Sequence, residues 1–87
     1  MNEKEMERVL KSIANKRRLD ILRLLKKGEH TVSAIAEKIH LSIKSTSRHL
    51  AILVAADVLG REQRSVQVFY RLADPLPKSL RHFLAEL

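Results

Sequence analysis

Residues 31–53, TVSAIAEKIHLSIKSTSRHLAIL, contain the pattern that decides the fold. Apolar residues recur there at helical spacing in two runs, and each run follows a residue whose side chain can cap a helix. Thr31 precedes the first run, and Ser42 precedes the second. The stretch therefore predicts two short helices joined by a tight turn, which is the arrangement of a helix-turn-helix.

The second helix of this pair, residues 43–55, is predicted to have a buried face and a polar face. Thr46, Leu50 and Leu53 recur at the spacing of a core-facing stripe. The other face carries hydroxyl, basic and imidazole groups, which can bond phosphates and base edges in a major groove. An ordinary solvated face is the alternative, but the preceding helix and turn favour DNA binding. The residues predicted to bind DNA here are Ser42, Ile43, Lys44, Ser45, Ser47, Arg48 and His49.

Side-chain chemistry suggests individual roles on this helix. Arg48 is expected to read a guanine, because a guanidinium can donate to O6 and N7 together. Lys44, near the helix start, is expected to contact a phosphate or a base, and Ser42 can donate to a backbone phosphate besides capping. His49 borders the buried face, so packing with one satisfied nitrogen and a phosphate contact are both open for it.

The composition restricts the classes of molecule that the protein is expected to bind. The 87 residues suit one domain, and the net charge of +7 favours a polyanion because neutralised phosphates release counterions. Three aromatic residues disfavour single-strand binding by base stacking. With no cysteine, disulfides and thiolate metal sites are excluded. No apolar run reaches membrane-spanning length and the N-terminus, MNEKEMERVL, is too polar for a signal peptide, so we expect no membrane partner and a cytoplasmic location.

Two further helices are predicted before residue 31. Residues 3–13 carry the apolar stripe of one short helix. Asn15 can cap the next helix, which is rich in leucine, and Gly28 can end it in a left-handed conformation. The other face of that helix is basic and carries Lys16, Arg17, Arg18 and Arg23.

A β-hairpin and a last helix are predicted after Asp57. Residues 58–62 suit one strand, and residues 66–72 alternate as a clearer one. Two prolines then suit the start of a helix over residues 75–87. The connection between the strands is predicted to be a basic tip formed by Gln63, Arg64 and Ser65.

We expect the tip to contact DNA. Arg64 is predicted to reach phosphates or an adjacent minor groove, and Gln63 is predicted to join it. For Arg61 and Arg71, a DNA contact and plain solvent exposure both stay open. The order of elements predicts a mainly α (α+β) class: one winged helix-turn-helix domain over residues 1–87, with a two-stranded β-hairpin wing and an added C-terminal helix.

Three segments of the chain resemble the ArsR/SmtB family of bacterial and archaeal winged-helix repressors: ANKRRLDILRLL, TVSAIAEKIHLSIKSTSRHLAIL and the VFYRL strand. The similarity covers about Val9 to Leu87. Its most specific part is LSIKSTSRHLAIL, which is similar to the family's recognition helix. The resemblance implies a homodimer, formed by the terminal helices, that binds an imperfect palindrome in double-stranded DNA near its own promoter.

The chain departs from the family pattern at three places. Asp57 stands where the family often has glycine, and Ile43 stands where a polar DNA-contacting residue is frequent. Metal-responsive members carry a Cys-Val-Cys motif at the start of the third helix, where this chain has residues 31–33, Thr-Val-Ser. The resemblance is therefore to members of the non-metal-sensing type.

The terminal helices, 3–13 and 75–87, carry more apolar residues than the core of so small a domain should need. They can belong to the protomer's own core, or they can form a two-fold interface with a second copy. We favour the interface, because the reader of a palindrome needs two-fold symmetry. The predicted interface residues are Met6, Val9, Leu10, Ile13, Leu80, Phe83, Leu84 and Leu87.

No other chemistry is predicted. His82 and Glu86 are one helical turn apart, but two ligands fall short of a closed zinc site, so we expect neither a metal nor another cofactor. No phosphate loop, nucleophile elbow or catalytic carboxylate pair occurs, so we do not expect an enzyme. The sequence favours a transcriptional regulator, and a repressor in particular. The alternatives are a winged-helix module for protein contacts and a non-specific, chromatin-like DNA-binding protein.

Overall fold

The computed structural model describes residues 2–87, except for the side chains of Lys78 and Ser79. Within those residues it contains five α-helices and one three-stranded sheet. None of these helices is long and apolar enough to cross a membrane. In chain order the elements are α1 (Glu3–Ile13), α2 (Lys16–Leu25), β1 (His30–Thr31), α3 (Val32–Ile39), α4 (Ile43–Ala55), β2 (Leu59–Arg64), β3 (Gln67–Leu72) and α5 (Lys78–Glu86).

Side-chain caps fix where the central helices begin, as the sequence predicts. The Asn15 side chain accepts hydrogen bonds from the backbone N–H groups of Arg17 and Arg18, at 3.0 and 3.2 Å. Thr31 and Ser42 cap α3 and α4 in the same way. Each cap satisfies N–H groups that have no partner within their own helix, and is worth about 1 kcal/mol.

The sheet is antiparallel and has the strand order β1-β3-β2. The predicted two-stranded hairpin of β2 and β3 is confirmed, and the sheet has a third strand that was not predicted, because β1 pairs His30 with Tyr70 and Thr31 with Phe69. Two residues are too few to show an alternating pattern, so the sequence could not reveal this strand.

The hairpin tip and the last helix also differ from the prediction. Strand β2 continues through Gln63 to Arg64, so the turn consists of Ser65 and Val66. Ser65 adopts a φ of 57°, which lets a two-residue turn match the twist of the strands. Helix α5 begins at Lys78 rather than at residue 75, because Pro77 disfavours the helical conformation at Leu76, the residue that precedes it.

Helix α4 lies at the centre of the core and contacts α1, α2, α3 and β2. Its Leu50 and Leu53 are fully buried, together with Ile21, Leu22 and Ile35 from α2 and α3. Removing each such side chain from water contributes about 1.5–3 kcal/mol. One face of α4 therefore fixes its orientation relative to the rest of the domain.

The predicted interface residues fall into two groups. Met6, Leu10 and Phe83 are exposed, and Leu87 is half-buried. The other four are buried within the protomer and so offer little surface to a second chain. These four are Val9, Ile13, Leu80 and Leu84.

Thr46 leads to a prediction about stability. It is fully buried, and within the described part of the chain its Oγ1 has no hydrogen-bond partner. A buried unpaired hydroxyl costs roughly 1–3 kcal/mol, whereas valine has the same branched shape and a methyl group in its place. We therefore expect Thr46→Val to raise the free energy of unfolding by about 1 kcal/mol or more, measured by urea denaturation.

Thr46→Ser is the matched control for this substitution. It keeps the hydroxyl and removes the methyl group, so it should lower the free energy of unfolding by about 1 kcal/mol. A lower urea midpoint for Thr46→Val than for the unsubstituted protein would contradict the expectation.

Candidate nucleic-acid interface

The turn between α3 and α4 is held in one conformation by backbone geometry and by a side chain from α2. His40 ends α3 in the left-handed region, with φ 57° and ψ 50°. The Arg17 guanidinium donates a 2.7 Å hydrogen bond to the Ile39 carbonyl oxygen, one of the groups that a helix end leaves unpaired. Ser42 then caps α4 in an extended conformation. The first turn of α4 is thereby fixed relative to α2.

The N-terminal half of α4 presents an exposed surface on the side away from the core. Lys44 and Arg48 are four positions apart and share one face, and Ile43 and Ser47 are related in the same way. Ser45 and His49 are half-buried and lie at its edges. We call the exposed set the recognition surface; its members are Ser42, Ile43, Lys44, Ser47 and Arg48.

The two cations of the recognition surface are free of carboxylates. Neither Lys44 nor Arg48 takes part in an ion pair within residues 2–87. Their charge is therefore available to an anion that approaches from solvent. A guanidinium and an ammonium on one helical face can bond both base edges and phosphates.

His49 is engaged by α2. The Arg18 Nη1 atom lies 3.1 Å from His49 Nδ1. The Nε atom of the same arginine donates a 2.6 Å hydrogen bond to the Ser12 carbonyl oxygen. A guanidinium can only donate, so Nδ1 accepts and the imidazole is neutral. Burial lowers the pKa of His49, and the charges of Arg18 and Arg17 lower it further. Of the two roles left open for His49, the observed contact matches the first: the ring packs against the fold and its Nδ1 is hydrogen-bonded by Arg18.

Arg17 and Arg18 have a structural role that the sequence does not show. The periodicity assigns them to the basic face of α2, opposite its leucines, but both are half-buried and donate to backbone carbonyls in other elements. A planar guanidinium can satisfy such carbonyls while its stem packs against apolar neighbours. Periodicity alone cannot distinguish this arrangement from a solvated face.

Arg64 on the wing is bound to two carboxylates. Its guanidinium donates to both Glu29 oxygens, at 2.6 and 2.9 Å, and to Glu62 at 3.0 Å. It also lies over the Phe69 ring, 4.6 Å from the centroid. The hydrogen bonds from Arg64 lower the pKa of both Glu29 and Glu62. We call this arrangement, Glu29, Glu62, Arg64 and Phe69, the wing clamp.

The wing clamp differs from the predicted arrangement, in which Arg64 extends from the hairpin tip towards DNA. Arg64 folds back towards the α2–β1 loop instead of extending from the hairpin tip, and its charge is balanced by neighbours. Gln63 is exposed, and its Nε2 donates a long hydrogen bond of 3.4 Å to the Ser65 carbonyl. Arg61 is exposed beside Tyr70 and makes no ion pair within the described residues. Of the two arginines of β2, Arg61 has the more available charge.

A basic groove lies between α2 and the end of α3, next to the turn that precedes α4. Asp20 is its one acidic lining residue, and it pairs with Lys16 and Arg23. In the part of the chain that the structure describes, no group of three potential metal ligands is close enough to hold an ion. The basic residues that line the groove are Lys16, Arg17, Arg23, Lys26, Lys27 and Lys38.

A helical core that exposes the N-terminal half of α4 beside a β-hairpin defines a winged helix-turn-helix protein. Residues 15–59 match the model of the family "Bacterial regulatory protein, arsR family". The transcriptional activator HlyU of Vibrio cholerae is 33% identical over 100% of this chain and 87% of its own length. The transcriptional repressor SdpR of Bacillus subtilis is 39% identical over 77% of this chain and 74% of its own.

Solved structures agree with this assignment. Reduced HlyU from Vibrio cholerae superposes with a TM-score of 0.84 at 29% identity, covering 99% of this chain and 87% of that one. A homodimeric winged helix-turn-helix DNA-binding domain from Mycobacterium bovis, from a possible ArsR-family transcriptional regulator, gives 0.84 at 30% identity, covering 95% and 74%. The chain therefore belongs to the arsR family of bacterial transcriptional regulators and has their winged helix-turn-helix fold. The predicted fold and the family resemblance are confirmed.

The Arg18–His49 contact predicts a dependence of stability on pH. The pKa of His49 is lowered in the folded state, whereas that of the unfolded chain is about 6.5. Above about pH 6.5 both states are neutral at this position. Below it the unfolded chain binds the proton first, so the free energy of unfolding should fall until the folded-state pKa is reached. Urea denaturation at a series of pH values between about 7 and 5 measures this loss.

The His49→Gln variant should lose part of that dependence, because glutamine does not titrate and its Oε1 can still accept from Arg18. His82→Gln on the exposed side of α5 is the control and should retain the full dependence. Glu29 and Glu62, whose pKa is lowered, make stability depend on pH only in a more acidic range, where their carboxylates become protonated. Equal pH slopes for His49→Gln and the unsubstituted protein would refute the role given to this contact.

Proposed function

We propose that this regulator acts as a repressor that binds a palindromic operator in duplex DNA as a homodimer. The observation that carries the proposal is the recognition surface: Lys44 and Arg48 are exposed and free of ion pairs on the helix that winged helix-turn-helix proteins insert into the major groove. The net charge of +7 supports a polyanionic partner.

The geometry suggests that different residues contact the bases and the backbone of the DNA. Arg48 reads a guanine in the major groove, while Ser42 and Lys44 at the start of α4 contact the adjacent backbone. The basic groove lies next to the same turn and adds long-range attraction for phosphates. Among the exposed polar side chains of the wing, Arg61 and Gln63 are assigned to the DNA, and Arg64 holds the wing in position through the wing clamp. We thus assign sequence specificity to α4, whereas α4, the basic groove and the wing all contribute to affinity.

Repression is the simpler mode of regulation for such a domain. A dimer bound across a promoter obstructs transcription by occupancy alone, whereas activation requires a further contact with the transcription machinery. Both kinds of regulator occur among the relatives, since HlyU is named an activator and SdpR a repressor. We also infer a non-catalytic role and a cytoplasmic location, because the relatives are transcription regulators and bacterial DNA lies in the cytoplasm.

The proposal is tested by Arg48→Ala. Duplexes selected from a random pool by the unsubstituted protein supply the specific site, and random duplexes of equal length supply the reference. A bidentate arginine–guanine pair is worth about 1–3 kcal/mol of discrimination, so the variant should lose that much on the selected site. It should lose little on random DNA at the same salt concentration, as measured by fluorescence anisotropy.

Arg61→Ala is the matched control for this measurement. It removes the same charge from the wing, where a phosphate contact carries no sequence information, so it should weaken both duplexes by similar factors. Equal losses for Arg48→Ala on both duplexes would show that Arg48 is not the base reader. Failure to select any preferred duplex would favour the chromatin-like alternative, and a stable complex with another protein would favour the interaction module.

The exposed apolar residues of the terminal helices support the homodimer. Met6 and Leu10 lie one turn apart on α1, and Phe83 lies on α5. The similar domain from Mycobacterium bovis is homodimeric. Two symmetry-related copies of α4 would then reach half-sites whose centres lie about 34–36 Å apart, one turn of the DNA helix.

Phe83→Glu tests this assembly. Its side chain is exposed in the protomer, so the fold should survive, whereas a charge buried between two chains is strongly unfavourable. We expect the variant to sediment as a monomer at micromolar concentration and to bind a two-half-site duplex far more weakly. Ile52→Glu, which places the same charge on an exposed apolar residue outside the terminal helices, should remain dimeric. A dimeric Phe83→Glu protein would exclude this residue from the interface.

A further inference from the structure

Ile43 is an apolar side chain at an unusual place. It is the first residue of α4, and 54% of its surface is exposed, whereas Leu50 and Leu53 of the same helix are fully buried. Isolated exposed apolar residues are common on protein surfaces, so exposure alone carries no meaning. What distinguishes Ile43 is its position at the end of α4 that enters the major groove.

The neighbours of Ile43 define that position. Ser42 precedes it as the helix cap, Lys44 follows it, and Ser47 lies one turn later on the same face. Ile52 is the other exposed isoleucine of α4, at 43% exposure. It comes nine residues after Ile43, about 13.5 Å further along the helix axis at 1.5 Å per residue. Ile43 therefore lies at the N-terminal end of α4, which carries the recognition surface, and Ile52 lies in the C-terminal half.

The chemistry of the major groove offers one partner for an aliphatic side chain. Among the base edges there, thymine presents a C5-methyl group, whereas the other bases present hydrogen-bond donors and acceptors. Isoleucine cannot exchange hydrogen bonds with those groups, but it can exclude water from a methyl group. The N-terminal residues of a recognition helix are the ones that meet base edges.

We propose that Ile43 is a specificity-determining residue that contacts the C5-methyl group of one thymine in each half of the operator. The proposal rests on the proposed function, since it requires α4 to enter the major groove. Each half-site then contains a guanine read by Arg48 and a thymine read by Ile43. Ile43 and Arg48 both lie in the first two turns of α4, so the two bases lie close together in the half-site.

The test uses the best duplex selected from a random pool by the unsubstituted protein. Each thymine is replaced singly by deoxyuridine, which keeps every hydrogen bond of the pair and lacks the methyl group. At one position in each half-site, the dissociation constant should rise about three- to fivefold, the factor that corresponds to burial of one methyl group. The remaining replacements should have smaller effects.

Variants assign the effect to the side chain. Ile43→Ala should bind thymine and deoxyuridine duplexes equally at that position, and Ile43→Val should keep most of the difference. Ile52→Ala is the matched control and should behave as the unsubstituted protein does. Because Ile43 and Ile52 are exposed, all three variants should fold. Circular dichroism and thermal unfolding are the measurements that check this.

A second arm restores the methyl group on another base. Replacing the sensitive T·A pair by C·G should weaken binding, and 5-methylcytosine in that pair should recover about three- to fivefold with Ile43 and nothing with alanine. Specific binding without any deoxyuridine-sensitive position, or with a sensitivity that persists in Ile43→Ala, would overturn the assignment and leave the proposed function standing. Absence of any preferred duplex would overturn both.

Discussion

The burial of one face of α4 is the constraint on which the rest of the structure depends. Leu50 and Leu53 are held among four other elements, so the helix cannot rotate about its axis without exposing them. The opposite face is consequently presented to solvent at a fixed angle. Arg17 and Arg18 reinforce this orientation from α2, one at the turn before α4 and one at His49. The same packing that stabilises the fold thus positions the side chains that we propose to contact DNA.

Sequence reasoning captures the elements whose signals are local. The caps Asn15, Thr31 and Ser42 start helices where the pattern predicts, and the periodicity of α4 separates its buried face from its exposed face. These features depend on residues within about two helical turns of one another. The class of fold follows from them, because the order of such elements restricts the possible topologies strongly. The family is indicated by the resemblance of three sequence segments to its members.

Contacts between distant residues are what the sequence could not supply. The short strand β1 forms because β3, far along the chain, offers a free edge. Arg64 and Glu29 are 35 residues apart, and no local pattern reveals their pairing. The burial of Val9, Ile13, Leu80 and Leu84 depends on how the terminal helices close over the core. Charge and periodicity indicate which residues are available, whereas tertiary geometry decides which of them are already engaged.

The wing clamp has a consequence for the thermodynamics of association. A free hairpin would lose conformational entropy when it became ordered against a duplex, and that loss would be subtracted from the binding free energy. Because Arg64 bonds to Glu29 in the α2–β1 loop, the hairpin is already ordered in the folded protomer, and its entropy is lost during folding rather than during binding. In the proposed complex, the wing would therefore meet the duplex as a preorganised element. Since the carboxylates that hold it are exposed, salt screens the clamp as well as the DNA contacts, and rising ionic strength weakens recognition by two routes at once.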